Sequence, residues 1–431
     1  MKQKLDTLIS HDAGLRWLAE QASPSDLRFY LVGGAVRDAC LGREAIDYDL
    51  VSAVDPTDWA RQLARHFGGH WFWLDATRRY SRVLLPGEKH YDFSPFRADT
   101  LEQDLRARDF SINAMAFPLS CSGRSGELFD PLAAREDLRN RRLRFCAPTA
   151  FRDDPLRILK GIRHSAVLGF DFDPATLAAC EQARLGLEDV AGERIRSELA
   201  MIFSTHYAGY QMRALQSLVA CSALEALLPD PDGRLSSEAL TASTAFGERI
   251  DDLAAGSSFF SQRLQDAAGD EFTIGALFRF VAFLQPWHGV GPLFDRFLQR
   301  LKPSRQLAQG LTFCLAAPRA GLPSTASSRQ RVLFYQQQNW PIPLALIRCA
   351  LGADNEMRQV LSRAWRYFEE KQQQGRLLPL VRGAELCQRW PQLQGKDCGE
   401  LLNQLILQEI NGTVRTRDQA WSYLAQQVKS H

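Results

Sequence analysis

The feature that most constrains the fold is a change in hydrophobic pattern near residue 150. Before it, five short segments either alternate apolar and polar residues or are rich in aromatic and β-branched residues, as strands are: 28–32, 45–51, 70–74, 80–85 and 90–96. After about residue 151 such segments nearly vanish, and apolar residues recur at helical spacing to the end of the sequence. The pattern predicts an α+β protein in which a small mixed α/β head precedes an elongated, all-helical remainder.

Helical patterns separate the strand-like segments of the head. The sequence predicts a short helix over 35–42 and a second over 55–69, which opens with an aspartate and a proline and closes with two glycines. The segment "LEQDLRARDFSINAMAF", residues 101–117, is also predicted as one helix. In "DDPLRILKGIRHSAVLGF", residues 153–170, apolar side chains at helical spacing predict the helix that begins the remainder.

Length and composition narrow the class of protein. A chain of 431 residues is too long for one compact core, so more than one domain is expected. The net charge of +2 gives no global signature of nucleic-acid binding, although it is compatible with a basic groove beside acidic residues. Nine cysteines at irregular spacing, with no Cys-x-x-Cys pair, argue against a disulfide framework or a zinc site and favour the reducing cytoplasm.

Neither the N-terminal segment nor the most apolar later stretch indicates secretion or a membrane span. The N-terminal stretch lacks the long apolar core of a secretory signal. The most apolar later stretch, "GALFRFVAFLQPW", is too short to span a bilayer and contains an arginine. We therefore expect a cytoplasmic protein with no membrane partner.

Two aspartates separated by one tyrosine are the first candidate site residues. In a strand, Asp47 and Asp49 project from the same face, with Tyr48 on the other. Adjacent carboxylates repel one another unless a cation lies between them, and oxygen ligands favour Mg²⁺. A magnesium site for nucleotidyl transfer is one interpretation. A solvated strand end is the other, because Asp-x-Asp is common.

The glycine pair Gly33-Gly34 lies between a predicted strand and a predicted helix. Such glycines let backbone N–H groups approach an anion at the positive end of a helix, and Arg37 is placed to add a phosphate contact. Neither G-x-G-x-x-G nor G-K-[ST] is present, so the dinucleotide fingerprint and the Walker loop are excluded. An ordinary strand-to-helix turn with an exposed arginine remains the alternative.

Five motifs in order give the chain a family resemblance. "LVGGAVRDACLGREAIDYDLV" resembles the first motif of the class II tRNA nucleotidyltransferase and poly(A) polymerase family, which adds nucleotides to RNA 3′ ends without a nucleic-acid template. "DLRARDFSINAMAF" is similar to its "RRDFTINA" element, "FRDDPLRILKGIRHSAVLGF" to its "EDxxR" helix and "AGERIRSEL" to its Glu-Arg-Ile element. The segment from about Leu378 to Leu424 resembles the family's usual tail.

The resemblance assigns roles to residues of the head. It implies that Asp47, Asp49 and, on the strand "YDFSPFR", Asp92 hold Mg²⁺ as the catalytic metal ligands. An unrelated surface aspartate is the alternative at that third position. It further implies that Arg108, Asp109 and Asn113 bind the incoming nucleotide together with Gly33, Gly34 and Arg37. The family usually has two consecutive arginines here; this chain has Ala107 in place of the first, with Arg106 as a possible substitute.

Base selection is expected from Asp154 and Arg157. Three residues apart on a predicted helix, they share one face. A carboxylate that accepts from an amino group, beside a guanidinium that donates to a ring nitrogen, matches cytosine and adenine but not uracil or guanine. A surface salt bridge is the alternative interpretation of this pair. Asp153 replaces the family's glutamate, and Arg163 matches a further arginine of the same motif.

The resemblance also divides the chain and defines a reaction. It implies a catalytic head over 1–148, a base-recognising neck over 149–222, a body over 223–375 and a tRNA-binding tail over 376–431. In this reaction a tRNA 3′-hydroxyl attacks the α-phosphorus of CTP or ATP and pyrophosphate leaves. Candidate tRNA backbone contacts are Arg382, Lys396, Arg415 and Arg417.

Which nucleotides are added depends on one short segment. CCA-adding relatives carry an extended loop between the Phe-Arg strand and the "RRDF" helix, and here only "ADTLEQDL" follows Arg97 before "RARDF". This favours a CC-adding enzyme, with A added by a separate A-adding enzyme. The alternatives are a full CCA-adding enzyme, then an A-adding enzyme or poly(A) polymerase, and an inactive RNA-binding homologue. The sequence assigns no role to 223–350 and no oligomeric state.

Overall fold

The computed structural model describes residues 1–21, 29–87, 89–119, 126–204, 208–228, 234–288, 292–316, 380–393, 395–410 and 413–430, with scattered residues between 344 and 369. The chain forms two compact units. The first contains Met1–Arg194 and Arg213–Pro229, and the second contains Ile195–Met212 and Asp230–His431.

A six-stranded mixed sheet organises the first unit. Its strands are β1 (Tyr30–Val32), β2 (Asp47–Ser52), β3 (His70–Asp75), β4 (Tyr80–Leu85), β5 (Lys89–Pro95) and β6 (Ala116–Pro118). Their order across the sheet is β3-β4-β5-β2-β1-β6. The β2–β5 pair is parallel and the other four pairs are antiparallel, so β3 and β6 are the two edges.

The helices of this part of the chain are α1 (Lys2–His11), α2 (Ala13–Gln21), α3 (Gly34–Leu41), α4 (Thr57–Phe67), α5 (Leu101–Arg106), α6 (Ala134–Arg139), α7 (Ala150–Asp153), α8 (Leu156–Leu168), α9 (Pro174–Ala183), α10 (Gly192–Phe203), α11 (Ala208–Ala220) and α12 (Ala223–Leu227). Short 3₁₀ turns cover Ser111–Asn113 and Arg184–Asp189, and a two-residue parallel pair joins β7 (Arg142–Leu143) to β8 (Asp171–Phe172).

The two faces of the large sheet differ in burial, and this difference positions the site. Tyr48, Tyr91 and Val83 lie in register on β2, β5 and β4, and all are at most 2 % exposed. They form the core face, against which α4 packs through buried residues that include Leu63. The Arg61 guanidinium of α4 also lies 4.4 Å from the Trp71 ring centre. Because side chains alternate along a strand, the residues between them, Asp47 and Asp49 included, project from the opposite, open face.

The second unit is mainly helical. Beyond its parts of α10 and α11 it contains α13 (Arg234–Gly256), α14 (Ser258–Arg263), β9 (Ala267–Gly269), β10 (Phe272–Thr273), α15 (Ile274–Leu284), a 3₁₀ turn (Gln285–Trp287), α16 (Pro292–Arg300), α17 (Arg305–Ala316), α18 (Gly383–Arg389), α19 (Gly395–Ile410) and α20 (Arg417–Ser430). The apolar stretch noted in the sequence is α15, a helix buried along its whole length. No helix in the described ranges combines the length and apolar character needed to cross a membrane.

The α+β class, with a mixed head and a helical remainder, is confirmed, and the short strands β8, β9 and β10 add to the remainder. The five predicted strands and the helices over 35–42 and 55–69 are confirmed within a few residues. The four-part division at residues 148, 222 and 375 stays a prediction.

Two helix predictions are wrong in part. The helix predicted over 101–117 ends at Arg106, and 116–118 instead form β6, which pairs with β1. The helix predicted over 153–170 is interrupted at Asp154, whose backbone is extended (φ −148°, ψ 95°) between α7 and α8. The cause is Pro155, because a proline disfavours the helical conformation of the residue before it.

Candidate active site

Three carboxylates meet on the open face of the sheet. Asp47 and Asp49 are exposed on β2, with the buried Tyr48 between them. The parallel β2–β5 register places Asp92 directly beside Asp49, and His90 beside Asp47. Residues in register on neighbouring strands have side chains about 5 Å apart, so the structure brings together all three aspartates predicted from the sequence.

Two basic side chains hold the outer carboxylates. Arg82 lies in register with Asp92 and donates two hydrogen bonds to it, at 2.7 and 2.8 Å. His90 Nδ1 lies 2.8 Å from Asp47 Oδ1. Neither residue was predicted from the sequence, although His90 precedes Asp92 by two positions on one strand and therefore shares its face.

Asp49 occupies the centre of this group. Its side chain is exposed on the open face, but protein groups surround it closely enough to desolvate the carboxylate. That enclosure raises the pKa of Asp49 by desolvation; Arg108 opposes the rise and the Asp92 carboxylate adds to it. A carboxylate whose charge is disfavoured by desolvation and by a neighbouring carboxylate is one that a cation would stabilise.

Gly33 is required by its contact with Asp49. Its φ is +72° and its ψ −139°, a conformation that is essentially restricted to glycine. A Cβ at this position would lie 2.6 Å from Asp49 Oδ2 and 3.4 Å from Arg108 Nη1. The glycine turn therefore has a role beyond the predicted approach of an anion: it makes room for the central carboxylate.

Gly34 and Arg37 belong to α3, which starts immediately after Gly33. Arg37 makes a bidentate ion pair with Asp38, with both hydrogen bonds at 2.9 Å. Its third contact is a hydrogen bond of 2.7 Å from Nη1 to Oδ1 of Asn113. The structure thus joins the glycine turn to the "RARDFSINA" segment, two motifs that are far apart in the sequence.

Arg108 is 8 % exposed and is fixed by a carboxylate that is fully buried. Its Nη2 lies 3.2 Å from Asp104 Oδ2. Arg106, the candidate substitute for the family arginine missing at Ala107, pairs with Glu102 on the surface of α5.

Asn113 is the centre of a second polar group. Its amide nitrogen donates to Asp109 Oδ1 at 3.1 Å and lies 3.4 Å from His164 Nε2. Burial lowers the pKa of His164 well below its ordinary value, and the charges of Arg163 and Arg37 add to the effect. His164 is therefore neutral at pH 7, and its Nε2 accepts from Asn113 in the tautomer that carries the proton on Nδ1.

The residues expected to read the base are close in sequence but have separate partners. Arg157, in the first turn of α8, donates to the backbone carbonyls of Ala107 (3.1 Å) and Arg108 (3.3 Å). The Asp154 carboxylate instead accepts from Arg194 Nη2 at 3.0 and 3.2 Å. The expectation that Asp154 and Arg157 share one helix face is wrong, because Asp154 lies outside the helix.

A cavity of about 770 Å³ lies at the Asp154–Arg194 pair. It is bounded by α7, the start of α8, α9 and the following 3₁₀ turn, and Phe151, Pro155 and Gly186 are among its lining residues. Its volume falls within the range of small-molecule sites in proteins. Arg194, which also lines this cavity, belongs to the "AGERIRSEL" segment and was not among the site residues predicted from the sequence.

Among the described residues, no three His, Cys, Asp or Glu side chains form a preassembled metal cluster. The donor set still fits a hard divalent cation: two carboxylates in register on neighbouring strands, with a third on the same face.

The mixed sheet and its acidic face belong to a known class of catalytic domain. Residues 29–101 and 77–144 match the family model described as the Poly A polymerase head domain. Residues 169–234 match the model described as the probable RNA and SrmB-binding site of polymerase A. The first unit therefore contains the head of a polymerase-type nucleotidyltransferase.

Similarity to curated relatives extends over nearly the whole chain. The chain is 32 % identical over 411 residues to the CC-adding tRNA nucleotidyltransferase of Geobacter sulfurreducens, covering 92 % of this chain and 91 % of that protein. It therefore belongs to the class II tRNA nucleotidyltransferase and poly(A) polymerase family.

Two further comparisons are with enzymes named for other specificities. The A-adding tRNA nucleotidyltransferase of Deinococcus radiodurans is 39 % identical over 206 residues, covering 46 % of this chain and 45 % of that protein. The Thermotoga maritima CCA-adding enzyme complexed with tRNA shares the fold, with a TM-score of 0.61, 22 % identity and 98 % of each chain covered.

Proposed function

We propose that this protein is a tRNA 3′-end nucleotidyltransferase that adds cytidines from CTP, as a CC-adding enzyme. The observation that carries the specificity is the connection between β5 and α5, which consists of the five residues 96–100. The name of the Geobacter relative, which matches over nearly its whole length, supports the same specificity.

The short connection has little freedom to move. The Phe96 N–H donates to the Ser52 carbonyl at 2.9 Å, and the Arg97 N–H donates to Asp104 Oδ1 at 2.9 Å. Thr100 caps α5 by accepting from the Gln103 N–H. Five residues span at most about 18 Å when fully extended, and these are tied at both ends. Such a segment cannot supply the extended loop that accompanies the change from C to A addition in CCA-adding relatives.

Asp47, Asp49 and Asp92 are the residues that would hold Mg²⁺. Bound there, the ion would neutralise charge on the triphosphate and activate the attacking 3′-hydroxyl. The protein's own contribution is to fix these carboxylates on adjacent strands of one sheet, where their separation is set by backbone hydrogen bonds.

The nucleotide is held by groups that surround this acidic face. Gly33 and Gly34 present backbone N–H groups at the start of α3, and Arg37 and Arg108 supply positive charge for phosphates. Asp109 and Asn113, which contact each other in the network that includes His164, would accept from and donate to the ribose hydroxyls.

Base selection requires Asp154 to exchange partners. In the free protein its carboxylate is bound by Arg194, while Arg157 is held by the backbone of the nucleotide-binding segment. Cytosine would present its N4 amino group to Asp154 and its N3 acceptor to Arg157. A base with the reverse pattern would leave polar groups unmatched, at about 1–3 kcal/mol each.

The remaining expectations concern partners and location. The tail residues Arg382, Arg415 and Arg417 are exposed, as tRNA backbone contacts must be, although Arg417 pairs with Glu385. The side chain of Lys396, the fourth expected contact, lies outside the described residues. A separate enzyme would complete the 3′ end with ATP. The cytoplasm stays the proposed compartment, because nine cysteines at irregular spacing favour a reducing environment.

The decisive experiment is incorporation into tRNA that lacks its terminal CCA, with CTP and ATP supplied together. A product that ends after two cytidines is expected. A product that also carries the terminal adenosine would show that the protein is a CCA-adding enzyme instead.

An inactive RNA-binding homologue is tested by Asp47→Ala. If the protein is an enzyme, this variant loses incorporation but keeps its affinity for tRNA in the absence of nucleotide. Equal inertness of wild type and variant with every nucleoside triphosphate would support the binding protein instead.

A further inference from the structure

A row of side chains continues from the catalytic carboxylates to the edge of the sheet. The registers of four neighbouring strands place Asp49, Asp92, Arg82 and Phe72 opposite one another in that order. Because residues in register share a face, the Phe72 ring lies on the same open face as the three aspartates. The second row on this face runs Asp47, His90, Leu84, His70.

Phe72 is exposed on this face, although the residues directly before and after it, which point to the other face, are half-buried. Its exposed fraction is 40 %, and that of Leu74, the next residue on the same face, is 49 %. The alternate residues Trp71 and Trp73 point to the other side and are half-buried, with Trp71 covered by Arg61 of α4. The strand "HWFWLD" is therefore apolar on both faces, and only its core face is covered among the described residues.

We propose that Phe72 is a stacking platform for an unpaired base in the 3′ segment of the RNA that the enzyme extends. This inference rests on the proposed function. The 3′ end must reach the acidic face, and the nucleotides behind it must leave that face in some direction. Along the row toward β3 they meet first Arg82, whose guanidinium is paired with Asp92, and then an exposed aromatic ring. Basic groups that track the backbone, followed by aromatic rings that stack on bases, are the usual means of binding single-stranded RNA.

The distance fits the unpaired end of a tRNA. Neighbouring strands lie about 4.8 Å apart, so Phe72 on β3 is about 10 Å from Asp92 on β5 and about 14 Å from Asp49 on β2. About three stacked nucleotides, at 3.4 Å each, cover 10 Å, and fewer are needed if the backbone is extended. The ring is thus placed to contact a base about one to three positions behind the reacting nucleotide. Stacking has no requirement for one base, which suits a substrate whose end changes with each addition.

The structure offers a matched control at the other edge of the same sheet. Phe129 is 39 % exposed and forms an isolated bridge with Ala116 of β6. It resembles Phe72 in chemistry and exposure but lies at the far edge. Phe129→Ala therefore removes the same surface without touching the row of side chains that begins at Asp49.

The test uses the full-length protein and an RNA minihelix with an unpaired 3′ end. For Phe72→Ala, the KM for the RNA should rise between about 5-fold and 150-fold, the range measured for loss of one base–aromatic stack. The KM for CTP should stay within twofold of wild type. Phe72→Trp should retain RNA affinity, Phe72→Leu should lose it despite keeping an apolar side chain, and Phe129→Ala should match wild type.

A second readout is independent of catalysis. With 2-aminopurine placed one, two or three positions behind the 3′ terminus and no CTP present, binding should quench fluorescence at one of these positions. The quench should persist in Phe72→Trp and disappear in Phe72→Ala and Phe72→Leu. Since this signal needs no turnover, it separates a failed stacking site from a failed proposed function, which wild type would show by forming no product or one that carries the terminal adenosine.

Either of two results overturns the proposal. One is an unchanged quench at every position in Phe72→Ala. The other is an equal RNA KM for Phe72→Ala and Phe129→Ala. The exposed β3 edge would then be assigned to a protein partner that pairs with the β3 backbone.

Discussion

Substitution of Gly33 by alanine gives the most direct test of how the acidic site is built. A Cβ added at Gly33 would lie 2.6 Å from Asp49 Oδ2, whereas ordinary contacts begin near 3.4 Å. The carboxylate or the turn must therefore move by about 0.8 Å. A misplacement of about 1 Å at a reacting group costs on the order of 100-fold in rate, so Gly33→Ala should lower single-turnover incorporation by about that factor.

Backbone strain must be separated from this displacement. Alanine at Gly33 would also occupy a conformation that is essentially restricted to glycine, at a cost in stability of about 1–3 kcal/mol. Gly68 has φ +65° and Gly169 has φ +70°, and a Cβ at either position meets no atom within 4 Å. Gly68→Ala and Gly169→Ala should therefore lower thermal stability by about 1–2 kcal/mol and leave incorporation nearly unchanged.

The assay is incorporation of one cytidine under saturating CTP, at a temperature where circular dichroism shows each variant folded. Saturation makes the comparison one of rate and not of nucleotide affinity. If folded Gly33→Ala keeps more than a third of the wild-type rate, the argument that Gly33 makes room for a catalytic Asp49 is refuted.

Three further predictions follow from the same structure. Burial opposes ionisation of Asp12, but hydrogen bonds from Lys89, the Leu15 N–H and Tyr91 outweigh burial and lower the pKa of this carboxyl. The ionised Asp12 therefore stabilises the fold fully above the ordinary aspartate pKa, and this stabilisation is lost as the pH falls through the lowered pKa. Urea unfolding of Asp12→Asn should show a loss of about 1–3 kcal/mol at pH 7 that shrinks below about pH 4; a loss independent of pH would contradict the assignment. Asp154→Asn should reduce the preference for CTP over UTP by about tenfold or more, measured by competing incorporation, because an amide can donate as well as accept; an unchanged ratio would remove Asp154 from base selection. His164→Leu should raise the KM for CTP about fivefold with little change in kcat, and His164→Gln, which keeps an acceptor, should restore it; equal effects in both would indicate only a packing role.

Much of the head could be predicted because its strands have strong local signals. The alternation of residue types indicates which side chains face the core, both at Tyr48 between two aspartates and in "YSRVLL". The segment 101–117 was mispredicted because its end is shaped by a distant partner. Residues 116–118 are fully buried as an edge strand on β1, and that contact overrides the local helical pattern.

At the candidate site, the sequence indicated the residues but not their partners. Asp154 was expected to act with Arg157 because the two are three residues apart. Because a proline disfavours the helical conformation of the residue before it, Pro155 itself indicates the break in the helix at Asp154. The pairing of Asp154 with Arg194, 40 residues further on, had no local signal.

By itself, the sequence determined the family, the α+β class and the identity of the acidic, basic and glycine positions, because these depend on residue types at short, fixed spacings. The tertiary structure alone decided that β2 pairs in parallel with β5, and this pairing sets Asp49 beside Asp92 and puts Arg82 and Phe72 in line with them. The physical reason is that register between strands distant in the chain is fixed by the burial of the whole core face, with Tyr48, Tyr91 and Val83 in one layer. No window of neighbouring residues contains that information.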